Sequence, residues 1–140
     1  MTLTVRQIEL VQNTWNLVLV HKKEAGGIFY ERLFTIDPSL RSLFKSSIIA
    51  QSTLLIGMIS FAVSKLNNIG DIVADVQSLG VRHKSYNVTP EHYTTVAEAL
   101  LWTLEKGLGD AWNEETKEAW IAVYTLLATT MQNAANEVTV

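Results

Sequence analysis

Apolar residues recur along this chain at three- and four-residue steps, the spacing that lines up one face of a helix. The first stripe is Ile8, Val11, Trp15 and Leu19. Thr4 followed by Gln7 reads as a capping box, so a helix is predicted from Thr4 to Val20. A second is predicted from Lys22 to Phe34. Gly26 and Gly27 lie inside it; they lower helix propensity but also allow another helix to cross closely. Asp37-Pro38 is a cap followed by a first-turn proline, opening a short helix that ends near Leu43 and Phe44. A helix from Ile48 to Asn67 follows, ended by Asn67, Asn68 and Gly70, and then one from Asp71 to Tyr86. Thr89-Pro90 again gives cap plus proline and opens a helix to Lys106, which Gly107 and Gly109 are expected to break. Asn113 caps the last helix, which runs to Asn136 with Glu114 and Glu115 in its dipole-favoured first turn. Two-residue hairpin signals, internal repeats and linkers are lacking. The expected fold is all-α, one domain over residues 1–140 with six to eight helices.

Composition narrows the class. Apolar residues make up 48% and charged residues 18%, which excludes long-range disorder. A net charge of −3 argues against a nucleic-acid partner. The absence of cysteine excludes disulfides, thiolate zinc sites, iron–sulfur clusters and a cysteine nucleophile. Met1 to Val20 lacks the pattern of a signal peptide. The most apolar run, Leu54 to Val63, is too short to cross a bilayer as a helix. A cytoplasmic protein with no membrane contact is expected.

Three histidines carry most of the candidate chemistry. His21 sits between two helices beside Lys22 and Lys23 and reads as a solvated corner. His92, in the first turn of a helix, reads as a cap or surface contact. His83 shares a face with Val76, Leu79 and Tyr86, which suits either a satisfied core histidine or a ligand. The preceding helix places Gln51 at the head of an apolar stripe with Leu55, Met58 and Ala62. Tyr30 stands among Phe29, Leu33 and Phe34 as a core-edge aromatic. No two histidines have the spacing of a helical zinc pair. Gly107-Leu108-Gly109 follows a helix, not a strand, so it is not a dinucleotide loop. The sequon Asn87-Val88-Thr89 is read as accidental.

The order of these pieces carries a resemblance. Tyr30, Leu33-Phe34, Pro38, Leu43-Phe44, Gln51, Leu55, Leu79, His83, Val88 and His92-Tyr93 follow one another as in a globin. The chain resembles the single-domain bacterial globins related to flavohaemoglobins and neuroglobins over nearly its whole length. The most specific stretches are Gly27 to Phe34, Leu79 to Lys84 and His92-Tyr93. The resemblance implies a three-on-three helical sandwich around haem b, with His83 as proximal iron ligand. It places Phe44 on the haem face, and Tyr30, Gln51 and Leu55 around the distal pocket. It makes Leu79 and Val88 proximal haem contacts, and Arg82 and Lys45 partners of the haem propionates. Tyr93 matches the flavohaemoglobin tyrosine near the proximal histidine, but the place of that family's partnering glutamate falls at Ala135.

A lone imidazole leaves the opposite face of haem iron open for reversible binding of O2, NO or CO. A tyrosine hydroxyl and a glutamine amide are neutral donors to bound O2. Each contributes about 1 kcal/mol net, and together they slow O2 release by roughly ten- to a hundredfold. The resemblance therefore implies a five-coordinate, high-affinity O2-binding globin, a monomer or weak homodimer. Nitric oxide dioxygenase activity with an external reductase is the alternative, because the 140 residues hold no flavin or nicotinamide domain. A redox or gas sensor is the third reading.

Overall fold

A computed structural model describes residues 3–44, 47–85 and 88–137. Six α-helices and three short 3-10 segments make up the architecture, with no strand among the described residues. The helices are α1 (Val5–Leu19), α2 (Lys22–Ile36), α3 (Ile48–Ser64), α4 (Val73–Ser85), α5 (Pro90–Leu108) and α6 (Glu114–Glu137). Local chemistry sets most of these ends. The Gln7 N–H donates to Thr4 Oγ1 and the Thr4 N–H donates to Gln7 Oε1, both at 3.0 Å, completing the capping box. Asp37 accepts from the Ser39 N–H ahead of the Pro38–Leu43 3-10 segment. Asn113 Oδ1 accepts from the Thr116 N–H at 2.9 Å and caps α6.

Two expected boundaries moved. The helix predicted from Ile48 to Asn67 stops at Ser64. A 3-10 segment, Leu66–Ile72, replaces its last turn, with Asn68 at φ −139° and ψ 53°. Tertiary contacts explain the change. Gln12 of α1 donates from Nε2 to the Val63 carbonyl at 3.0 Å, an acceptor that another helical turn would use, and to Asn67 Oδ1 at 2.9 Å. Leu66 and Ile72 are both drawn into the interior. At the other boundary, α5 continues through Gly107, the first of two expected breakers, and ends at Gly109. Only Gly109 adopts the left-handed φ, +52°. Mid-helix glycine costs only about 1 kcal/mol, less than burying the next residue, Leu108, returns.

The interior is built where α2 crosses α3 and α5, and where α6 receives α1 and α4. Val11, Leu33, Leu104 and Ile72 are almost wholly buried. Trp15 and Trp120 pack across the α1–α6 contact, ring centroids 5.9 Å apart. No single helix among the described residues is long and apolar enough to cross a membrane.

The glycine pair in α2 divides in role. A Cβ on Gly26 would meet Ser52 Cβ of α3 at 2.5 Å, whereas Gly27 has open space. The close crossing expected of both therefore uses Gly26 alone. Gly26→Ala should destabilise the protein by about 1–3 kcal/mol through overpacking. Gly27→Ala should leave stability unchanged or raise it by up to about 1 kcal/mol. Urea denaturation of the two variants measures both, and equal effects would contradict this crossing.

Candidate haem-binding cavity

α4 is seated against the backbone of α6. Gly80 is buried there, and a Cβ at that position would fall on the main chain of Met131. With α4 drawn onto α6, α3 and α4 stand apart, and a cavity of about 530 Å3 lies between them, within the usual range for a small-molecule site. Its walls are overwhelmingly apolar. Leu54, Leu55, Met58 and Phe61 come from α3, Val76 and Leu79 from α4, and Val96 and Leu100 from α5. Leu54, Met58 and Phe61 remain 59%, 42% and 47% exposed. Large apolar side chains left in that state call for a covering group.

His83 lines this cavity. Its ring nitrogen Nδ1 lies 2.8 Å from the Leu79 carbonyl oxygen. A carbonyl only accepts, so Nδ1 carries a hydrogen, and the neutral ring presents its lone pair at Nε2. This is the tautomer a metal-binding imidazole needs, oriented by a main-chain acceptor. The Tyr93 ring lies beside it, centroids 6.3 Å apart and tilted by 31°. At the end of α4 the Val88 N–H donates back to the His83 carbonyl, and Val88 joins the lining. Arg82 is exposed at the cavity wall.

The structure therefore brings Leu55, Leu79, Arg82, His83, Val88 and Tyr93 to one cavity. Tyr30, Phe44 and Gln51 form an adjoining cluster that does not face it directly. The Tyr30 ring lies 5.0 Å from Phe29, 5.4 Å from Phe44 and 6.0 Å from Phe34. Phe29 belongs both to this cluster and to the cavity wall. The Tyr30 hydroxyl donates to the main-chain oxygen of Gln51 at 3.3 Å, not to its side chain. Lys45, and with it Tyr86 and Asn87, lies outside the described residues.

Sequence reasoning missed part of the lining. His92 does cap α5, accepting at Nδ1 from the Thr89 N–H at 3.0 Å, and it also lines the cavity. Trp120, Val123, Tyr124, Leu127 and Met131 form the wall contributed by α6. Their helical spacing was a readable signal, but it marks a buried face without saying that the face borders a cavity. The Tyr124 hydroxyl donates to the Tyr93 carbonyl at 2.6 Å and ties α6 to the start of α5.

The globin family profile matches residues 28–131, and the chain belongs to the globin family. It is 29% identical over 126 residues to a flavohemoprotein of Bacillus subtilis, matching 88% of this chain and 32% of that protein. It is 27% identical over 143 residues to a neuroglobin of Tetraodon nigroviridis, across 92% of this chain and 90% of that one. The chain thus spans about a third of that flavohemoprotein and nearly all of that neuroglobin. Among solved structures it resembles an engineered carbene transferase made from a candidate nitric oxide dioxygenase of Rhodothermus marinus. The TM-score is 0.86 at 25% identity, over 98% of this chain and 96% of that one. Globin membership implies haem as the cofactor, and the apolar cavity with the His83 imidazole held at Nδ1 fits a flat, largely apolar ring bound through iron.

Burial pushes the Tyr30 phenol up from its ordinary value near 10 to about 12, and pushes the Tyr93 and Tyr124 phenols up as well. In the unfolded chain these groups lose their protons first. Between about pH 10 and 12 the folded state therefore holds more protons, and stability falls as pH rises. Below pH 10 the phenols add no slope. Tyr30→Phe should flatten the alkaline limb of a stability–pH curve measured by urea unfolding. An unchanged limb would mean that Tyr30 is not held in a buried environment.

Proposed function

We propose that this globin binds haem b through His83 and binds O2 reversibly at a five-coordinate iron. The carrying observation is the His83 Nδ1–H bond to the Leu79 carbonyl on the wall of the apolar cavity. Haem supplies an iron atom whose open axial position takes diatomic ligands, O2, NO and CO alike. Leu79, Val88 and Tyr93 pack on the side of His83, while Leu55 and Phe44 cover the other face. Arg82 and Lys45 pair with the propionates.

Tyr30 and Gln51 serve as hydrogen-bond donors to bound O2. Phe29, Phe34 and Phe44 pack around the Tyr30 ring, which stands behind the cavity lining, so donation to a ligand would require its hydroxyl to leave the Gln51 carbonyl and turn into the cavity. Burial keeps that phenol protonated, as a donor must be. Two such bonds make O2 release slow and affinity high, which suits scavenging better than delivery.

The likeness to a flavohemoprotein and to the Rhodothermus protein favours a second reading, nitric oxide dioxygenase activity with an external reductase. Steady-state NO consumption with a reductant separates it from simple binding; a rate no better than an unrelated globin's removes it.

Reconstitution with haem should give a Soret band with distinct ferric, deoxy and oxy spectra. His83→Ala should lose tight haem retention unless imidazole is added, and full retention with unaltered spectra would exclude His83 as the ligand. Tyr30→Phe combined with Gln51→Leu should speed O2 release by roughly ten- to a hundredfold in stopped flow. An unchanged rate would remove both residues from the distal role.

A further inference from the structure

Trp120 lines the cavity, yet it is only 2% exposed and has its back to α1. There its ring meets Trp15, itself 3% exposed, with centroids 5.9 Å apart and planes tilted by 59°. The two indole N–H groups end differently. Trp120 Nε1 donates to Thr14 Oγ1 at 3.0 Å, and the Thr14 hydroxyl donates onward to the Leu10 carbonyl at 2.6 Å. That chain stops at a main-chain carbonyl inside α1, which cannot take up a proton. Trp15 Nε1 donates to Ser60 Oγ at 2.9 Å, and Ser60 is half-buried at the edge of α3. A hydroxyl at that position can receive one proton while passing its own to solvent.

We infer that Trp120 and Trp15 form an electron relay, which carries an oxidising equivalent out of the cavity and holds it on Trp15 as a neutral indolyl radical. The relay rests on haem occupying the cavity, as proposed above. The oxidant class is a peroxide, and hydrogen peroxide serves to balance the reaction. It takes up two electrons and two protons to give two molecules of water. One electron would come from haem iron that starts ferrous and ends ferric. The other comes from Trp120, which is refilled at once from Trp15. The Trp15 indole proton leaves through Ser60, and the second proton comes from solvent.

The neighbouring phenols are worse exits. Tyr30 donates to the Gln51 carbonyl and Tyr124 to the Tyr93 carbonyl. A phenol must shed its proton as it is oxidised, and neither acceptor is a base. Indole can lose its electron first and its proton later, so the equivalent travels to the ring whose N–H reaches water. The relay protects the cavity lining, where Met58 and Met131 are easily oxidised side chains.

The test uses the haem-loaded full chain, reduced to the ferrous state, mixed with hydrogen peroxide and frozen within milliseconds for electron paramagnetic resonance, with peptide mass spectrometry of the product. The wild type should show a tryptophanyl signal and oxygen addition at Trp15. Both should vanish in Trp15→Phe and in Trp120→Phe. Ser60→Ala removes only the acceptor of the Trp15 N–H and leaves both rings and the cavity lining in place; it should keep the Soret spectrum and lose most of the Trp15 signal, which keeps the relay testable even if a tryptophan variant folds poorly. A tyrosyl signal in place of the tryptophanyl one overturns the relay, as does a Trp15 radical that persists in Trp120→Phe. A missing Soret band before peroxide is added overturns the haem proposal, and the relay with it. A normal Soret band without any tryptophanyl signal overturns the relay alone.

Discussion

The close contact of Gly80 with the backbone at Met131 is the constraint on which the rest of this molecule depends. A helix that touches another through a glycine comes nearer than side chains would permit. α4 is thereby committed to α6, and α3 to α2 through the similar contact of Gly26 with Ser52. Each of the two helices that could have closed on one another is held by a different partner. The space between them is the cavity, and its existence follows from two missing methyl groups as much as from the apolar side chains that line it.

The cavity owes its chemistry to a small number of polar groups whose hydrogen bonds are spoken for. The Leu79 carbonyl fixes the tautomer of His83, and the Tyr93 carbonyl takes the Tyr124 proton. The Gln51 carbonyl takes that of Tyr30. In each case the acceptor is main chain, so these side chains are oriented by backbone that the helices already hold rigid. The bond to Leu79 orients the imidazole with Nδ1 as the donor, and the carbonyl acceptors hold Tyr30 and Tyr124 as hydroxyl donors. The indoles differ, because both donate first to a hydroxyl; Trp15 meets half-buried Ser60, whereas the path from Trp120 through Thr14 ends on the Leu10 carbonyl.

Stability and ligand binding are in tension on α3. Leu54, Met58 and Phe61 present apolar surface that nothing among the described residues covers. Covering that surface with haem returns roughly 25 cal/mol for each Å2 removed from water, so the cofactor belongs to the fold's stability as well as to its activity. The cluster around Tyr30 is different in kind. Phe29, Phe34, Phe44 and Tyr30 pack on one another irrespective of any ligand, and the Tyr30 hydroxyl waits on a nearby carbonyl.

The helices and their caps were legible in the residues, because capping and amphipathic periodicity are local properties with a spacing of three or four. The order Tyr30, Phe44, Gln51, His83, Val88, Tyr93 was enough to suggest the family. What local pattern does not carry is which buried stripe meets another stripe and which meets a cavity. Trp120 and Tyr124 look like core on their own helix and become cavity wall only once α6 is placed. The early end of α3 needed Gln12 from α1, fifty-one residues away from the carbonyl it caps. Gly26, Gly27, Gly80 and Gly107 are alike as letters, and only the neighbour that each meets decides which of them is indispensable. Periodicity is written within one helix, whereas close approach is a property of two, and that is why the elements followed from the sequence alone while the site required their packing.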